Sequence, residues 1–133
     1  MAAKLKFSLV SPEKELFSGE VDGVDVPGEE GDFGVLPNHA PVMTTIRMGT
    51  IAIKDGQETR RMFLRGGFAD VTPEGLIILA EEAVDIAGLD AENLAKDVRD
   101  AEEDLADAKT EVNRTTASER LDYARGLLDA VNS

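Results

Sequence analysis

One stretch concentrates the unusual residues of this chain. It runs from Val26 to Val42 and holds three of the five prolines, three of the twelve glycines and the only histidine, His39. At its centre Glu29-Glu30-Gly31-Asp32 forms an acidic turn. His39 titrates near neutral pH if unperturbed. With no cysteine and no second histidine beside it, it completes no metal set. A lone histidine between Pro37 and Pro41 reads as a packing or hydrogen-bonding residue, not a proton carrier. The residues of the acidic turn allow two readings: a solvated loop or a cation site. The spacing of a calcium loop is missing. The runs Glu81-Glu82 and Glu102-Glu103-Asp104 read as solvated faces. There is no glycine-rich phosphate loop and no nucleophile elbow. The expectation is no catalytic residue, no metal and no cofactor.

The elements that carry this stretch follow from periodicity. Glycine admits backbone angles other residues avoid, and proline fixes φ and removes a donor. The segment therefore reads as a rigid feature: strand, acidic turn, short strand, proline-clamped bend. Leu5, Phe7 and Leu9 alternate with Lys4, Lys6 and Ser8, the pattern of a half-buried strand. Two strands are expected around Ser18-Gly19, and others over 41–46, 50–54, 59–65 and 68–71. Asp55-Gly56 carries the signal of a two-residue hairpin. Gly66-Gly67 marks a bulge or corner. Leu76 to Ala80 is an unbroken apolar run, as in a central strand, and Val84 to Ile86 is a last short one. Consecutive short strands with tight turns predict an antiparallel β-sandwich or flattened barrel.

The composition changes near Gly88. Eleven of the twelve glycines and all five prolines lie at or before it. Beyond it, Leu94, Val98, Ala101, Leu105, Ala108 and Val112 form one heptad-like stripe, and Ala117, Leu121, Ala124, Leu128 and Val131 a second. The break is placed at Asn113-Arg114-Thr115, with Thr116 and Glu119 as a capping box and Asp90 as N-cap of the first helix. That helix would be roughly 23 residues, about 35 Å at 1.5 Å per residue. The fold class expected is α+β in two parts: a β-sandwich over 1–88, then an antiparallel two-helix hairpin over 89–133.

The totals narrow the function. At 133 residues the protein is one domain, or one with an appendage. A net charge of −13 argues against nucleic acid and anionic lipid as partners. No apolar run approaches the roughly 20 residues a membrane helix needs. Nothing at the N-terminus resembles a signal or transit peptide, which points to a cytoplasmic protein unless a presequence has been removed.

Several motifs together resemble one family. Val10-Ser-Pro-Glu13, Leu16-Phe-Ser-Gly-Glu-Val21, the long run from Val26 to Pro41, Gly66-Gly-Phe-Ala-Asp-Val71 and Ile77-Ile-Leu-Ala-Glu81 are similar to the ε subunit family of the bacterial F-type rotary ATP synthase. The resemblance implies a non-catalytic part of the central stalk, between the γ subunit and the membrane ring of c subunits, coupling ring rotation to γ. It implies that Glu29, Glu30, Gly31 and Asp32 meet polar loops of the ring. It also implies that His39, Ala40, Pro41, Val42, Met43 and Thr44 lie near γ. Membrane association would come only through the complex, at the cytoplasmic face of the bacterial inner membrane.

In relatives the hairpin can reach the catalytic subunits, inhibit hydrolysis, or bind ATP. The ATP pattern is Ile/Leu-Asp-x-x-Arg-Ala. Here Leu89 and Asp90 are present, but Asn93 replaces the arginine, so weak or no ATP binding is expected. Residues 90–133 carry twelve acidic and six basic side chains, a net of −6. An acidic hairpin suits an acidic docking site poorly, although Arg114, Arg120 and Arg125 could partly serve. Inhibition of hydrolysis is expected to be weak. The competing class of function is a stand-alone β-sandwich that binds a small ligand, with the helices as an oligomerisation device. A pocket would favour that module, and exposed apolar patches the stalk subunit.

Overall fold

The computed structural model describes residues 4–37 and 40–132. The protein divides into two compact units, Met1–Asp85 and Ile86–Ser133. Among the described residues the first unit holds ten strands: β1 (Leu5–Val10), β2 (Glu15–Val21), β3 (Gly23–Gly28), β4 (Gly31–Val35), β5 (Val42–Ile46), β6 (Gly49–Asp55), β7 (Glu58–Leu64), β8 (Gly67–Thr72), β9 (Gly75–Ala80) and β10 (Ala83–Asp85). They pair in the order β10-β7-β6-β3-β5-β8-β9-β1-β2, with β4 on β3. Every pairing is antiparallel except β1 with β9.

The sheet is curled, as the core requires. Leu5, Phe7 and Leu9 of β1 share one buried cluster with Ile51 and Ile53 of β6 and Met62 and Leu64 of β7. In pairing order these strands are far apart, so a flat sheet could not bring them together. Near the two ends of the order, Phe17 of β2 stacks on Phe7 at 5.5 Å, and Arg60 of β7 lies 5.9 Å over the Phe17 ring. The expected β-sandwich followed by two helices is what forms.

Three local expectations are corrected. No break falls at Ser18-Gly19; β2 runs through both, pairing Ser18 with Ser8 and Gly19 with Phe7. The break comes at Asp22, whose N–H turns to Lys54 O at 2.8 Å as the backbone switches partner strand. The acidic turn is shorter than its sequence suggests. Only Glu29 and Glu30 form it, because Gly31 and Asp32 already pair with Gly28 and Pro27 in the β3–β4 ladder. β9 is central, but its apolar run is not buried on both faces: Leu76, Ile78 and Ala80 are buried, and Ile77 and Leu79 are exposed.

The Asp55-Gly56 hairpin is held to the start of β1 by charge. Lys4 Nζ lies 2.6 Å from Asp55 and 2.9 Å from Asp22, and Gly56 N–H donates to Asp22 Oδ2 at 2.6 Å. The bonds from Asp55 and then Asp22 raise the Lys4 pKa above its ordinary value. The Gly56 N–H, then Lys4, hold the Asp22 pKa below 3.8. A carboxylate depressed on folding stabilises above its unfolded pKa and loses that contribution as pH falls through the folded value. For Lys4 the sign is opposite, and its contribution fades only as pH rises through its raised pKa. Asp22→Asn is therefore less stable than the parent at pH 7, with the gap closing below about pH 4. Urea midpoints measured along that pH series check it, and a gap independent of pH would refute it.

The second unit holds a 3-10 turn (Ile86–Gly88), α1 (Ala91–Asp107) and α2 (Glu111–Asn132). Asp90 is the N-cap of α1, accepting from Glu92 N–H at 2.9 Å. The turn of the hairpin is Ala108–Thr110, not Asn113–Thr115. Thr110 Oγ1 accepts from Asn113 N–H at 3.1 Å and so caps α2 three residues earlier than Asn113. Thr116 and Glu119 lie inside α2 and cap nothing. Ala108 leaves the helix with φ −68° and ψ 128°. Asp107 also sits where the helix dipole disfavours an anion. α1 is thus 17 residues, not 23. Val112, counted in the first stripe, is exposed in α2, and α2 buries Ala117, Leu121, Ala124 and Leu127 in place of Leu128. Arg120 Nη1 to Asp104 at 2.5 Å and Arg125 Nη2 to Glu102 at 3.5 Å join the helices across the turn.

Candidate partner-binding surface

The acidic turn is the tip of the β3–β4 hairpin, and β5 braces it. Arg47 N–H donates to Pro27 O at 3.0 Å, and Glu29 N–H to Thr45 O at 2.9 Å. Gly28 pairs with Ile46 between these two bonds. At Gly28 a Cβ would lie 2.6 Å from Gly31 O and 2.8 Å from the Phe33 ring, so the hairpin closes only on a glycine. Past the tip, the Arg47 guanidinium pairs with the Asp32 carboxylate. Among the described residues no ion pair engages Glu29 or Glu30, and both are exposed.

An open groove of about 400 Å³ runs beside the tip. Glu30, Gly31, Asp32 and Phe33 line it from the hairpin, and Ala40, Pro41, Val42 and Thr44 from the approach to β5. The two segments singled out in the sequence thus meet in one place. Two of their residues do not line it. Glu29 stands on the turn, and Met43 points the other way. His39 lies outside the described residues.

Met43 belongs to an apolar face that sequence reasoning missed. Cross-strand register puts Phe68 beside Leu79, and Asp70 between Met43 and Ile77. Met43 is 70% exposed, Phe68 54%, Leu79 53% and Ile77 43%. Val10 of β1, half-buried, pairs with Leu79 and extends the row. Single exposed apolar residues are ordinary, but Phe68, Leu79, Ile77 and Val10 adjoin across three strands, with Met43 beyond Asp70 at the edge, and such a cluster suits docking. The signal in the sequence was the unbroken run Leu76 to Ala80, in which a half-buried strand would show polar residues at every second position.

The ATP-motif positions bond locally at the start of α1, although Asp90 and Asn93 are exposed. Asp90 Oδ1 accepts from Glu92 N–H and Oδ2 from Asn93 Nδ2 at 3.2 Å, so both oxygens are engaged. Leu89 N–H donates to Ile86 O at 3.1 Å. Among the described residues no group of three His, Asp or Glu side chains is placed to hold a metal ion, and no helix is long and apolar enough to cross a membrane.

Sequence profiles decide the family. The beta-sandwich domain of the ATP synthase Delta/Epsilon chain matches residues 4–86, and the C-terminal domain of the ATP synthase epsilon chain matches residues 90–133. The protein belongs to the ATP synthase epsilon family. The ATP synthase epsilon chain of Maricaulis maris is 61% identical over 119 residues, 89% of each sequence. That of Caulobacter vibrioides is 67% identical over 85 residues, which are 64% of this protein but 99% of the relative. Among solved structures, a subunit in the Euglena gracilis mitochondrial ATP synthase assembly of OSCP, F1 and c-ring shares the fold at a TM-score of 0.85 and 23% identity. It is matched over 98% of this protein and 83% of that one. As a member of this family the protein is an accessory subunit of the complex that couples proton transport to ATP synthesis.

Proposed function

We propose that this epsilon subunit is a non-catalytic element of the central stalk that transmits rotation of the c-ring to the γ subunit. The observation that carries the reading is the apolar face of Met43, Phe68, Ile77 and Leu79, exposed on the rigid sheet. A subunit that must grip a rotating shaft needs an exposed apolar contact, and this face, with Asp70 and Thr45 among its apolar residues, supports that reading. The Glu29-Glu30 tip, with its side chains unpaired among the described residues, suits polar basic loops of the ring. Membrane association then comes through the complex, at the cytoplasmic face of the bacterial inner membrane.

The hairpin is secondary in this role. Two of the three arginines it could present to an acidic site, Arg120 and Arg125, are engaged by α1. A relative of the same family name is covered almost completely by 85 residues, a length the β unit alone supplies. Inhibition of hydrolysis through the catalytic subunits is therefore weak, and removal of residues 89–133 leaves the ATPase rate within about twofold. With Asp90 self-capped and Asn93 in place of arginine, the protein binds ATP weakly or not at all. Isothermal titration of the isolated subunit checks this, and micromolar affinity would refute it.

The test of the stalk role is a native pull-down of the tagged subunit from membranes in mild detergent. Recovery of γ, the catalytic subunits and the ring is expected. Recovery of the tagged subunit alone would overturn it.

A further inference from the structure

We infer that Arg47 is a positioning residue for the acidic tip: it neutralises Asp32 and fixes the hairpin, leaving Glu29 and Glu30 as the carboxylates that meet the ring. The inference rests on the reading of the tip as a ring-docking site. Three features carry it. Arg47 reaches the hairpin twice, through its N–H to Pro27 O and through its guanidinium to Asp32, so both strands of the hairpin are tied to one residue. The guanidinium has a second contact, Nη1 donating to Met48 O at 3.4 Å, and Gly49 leaves room for it beside Pro27, since a Cβ there would come within 3.2 Å of Nη1. The pair is also exposed, 49% for Arg47 and 70% for Asp32. Exposed pairs of this kind add little to folding stability. What the contact does supply is direction.

The backbone bonds from β5 reach the hairpin at β3 and the turn, and the β4 side is otherwise held by its ladder to β3. The bond to Asp32 secures the β4 side. Because β5 also pairs with β8, the same strand ties the acidic tip to the apolar face. Torque entering at Glu29 and Glu30 would then pass through a stiff strand and not through a swinging hairpin. Substituting Asp32 alone would remove no partner contact.

The test uses the whole complex in inverted membrane vesicles, with ATP-driven proton pumping and ATP hydrolysis read together. Arg47→Gln is expected to lower protons pumped per ATP at least threefold, while the thermal midpoint of the isolated subunit stays at the parent value. Arg47→Lys should recover half or more of the loss, and the exchange Asp32→Arg with Arg47→Asp should recover it too. Glu30→Gln should uncouple by itself. If Arg47→Gln matches the parent while Glu30→Gln uncouples, the positioning role is wrong and the docking site stands. If neither variant changes the ratio, the docking site itself is wrong. A fall in thermal midpoint that tracks the loss, without recovery by lysine, would make Arg47 merely structural and overturn the inference.

Discussion

Phe68→Glu is expected to release the subunit from its complex while leaving it folded. Phe68 stands on the outward face of β8, 54% exposed, beside Leu79 and next to Thr45 across the strands. Its substitution empties no part of the buried cluster, which is built from Ala69 and Val71 of the same strand. Outward substitutions of this kind change stability by about 0.5 kcal/mol or less. Binding is another matter. Covering the exposed half of Phe68 is worth about 1–1.5 kcal/mol, and a carboxylate forced into the same contact costs several kcal/mol more. A total of about 4–6 kcal/mol is a loss of roughly a thousandfold or more in affinity. Membranes stripped of the native subunit should rebind the parent and fail to rebind the variant. Glu74→Gln, in the exposed turn between β8 and β9, serves as the control and should rebind normally. Rebinding of Phe68→Glu at parental affinity would remove the apolar face from the interface.

Gly67→Ala is expected to be the most damaging single-methyl change in the β unit. Gly67 has φ +149°, and a Cβ there would stand 2.0 Å from Leu79 O and 3.0 Å from Ala80 Cα. Both obstacles are backbone, in a strand paired on both sides, so neither can swing away. Strain of about 1–3 kcal/mol from the dihedral adds to about 1–3 kcal/mol from overpacking. A loss of about 3–5 kcal/mol is a large part of the 5–15 kcal/mol typical of a domain. At about 4–8 °C per kcal/mol for a domain of this size, the midpoint should fall by roughly 12–40 °C. Gly31→Ala is the comparison that separates the two costs. Gly31 has φ +140°, yet nothing lies within 4 Å of its Cβ position. It should lose only the dihedral part. Thermal unfolding followed by circular dichroism compares them, and equal losses would mean that the clash at Gly67 relaxes freely.

Much of this protein was legible before folding. Alternation in Leu5-Phe7-Leu9 assigns β1 its buried face, because side chains on a strand alternate and only one side of a sandwich strand meets the core. Asp55-Gly56 fixes a hairpin by local chemistry, and Asp90 a helix start. The residues from Val26 to Val42 announce a rigid acidic feature and carry the family resemblance. All of these are short-range signals, set within a few residues.

Tertiary structure decided what depends on distant neighbours. The stripe from Leu94 to Val112 keeps its spacing past the true turn, because periodicity records an apolar face and says nothing about where the helix stops. Thr110 ends that ambiguity only through a hydrogen bond to Asn113 N–H. Leu76 to Ala80 is apolar at every position, so only the layering of the sheet tells which side is covered and which is left for a partner. Arg47 and Asp32, fifteen residues apart, meet because β5 pairs with β3 at Gly28, where the β3–β4 hairpin turns. No local pattern in the sequence encodes that pairing; it follows from how the curled sheet brings its strands together around one core.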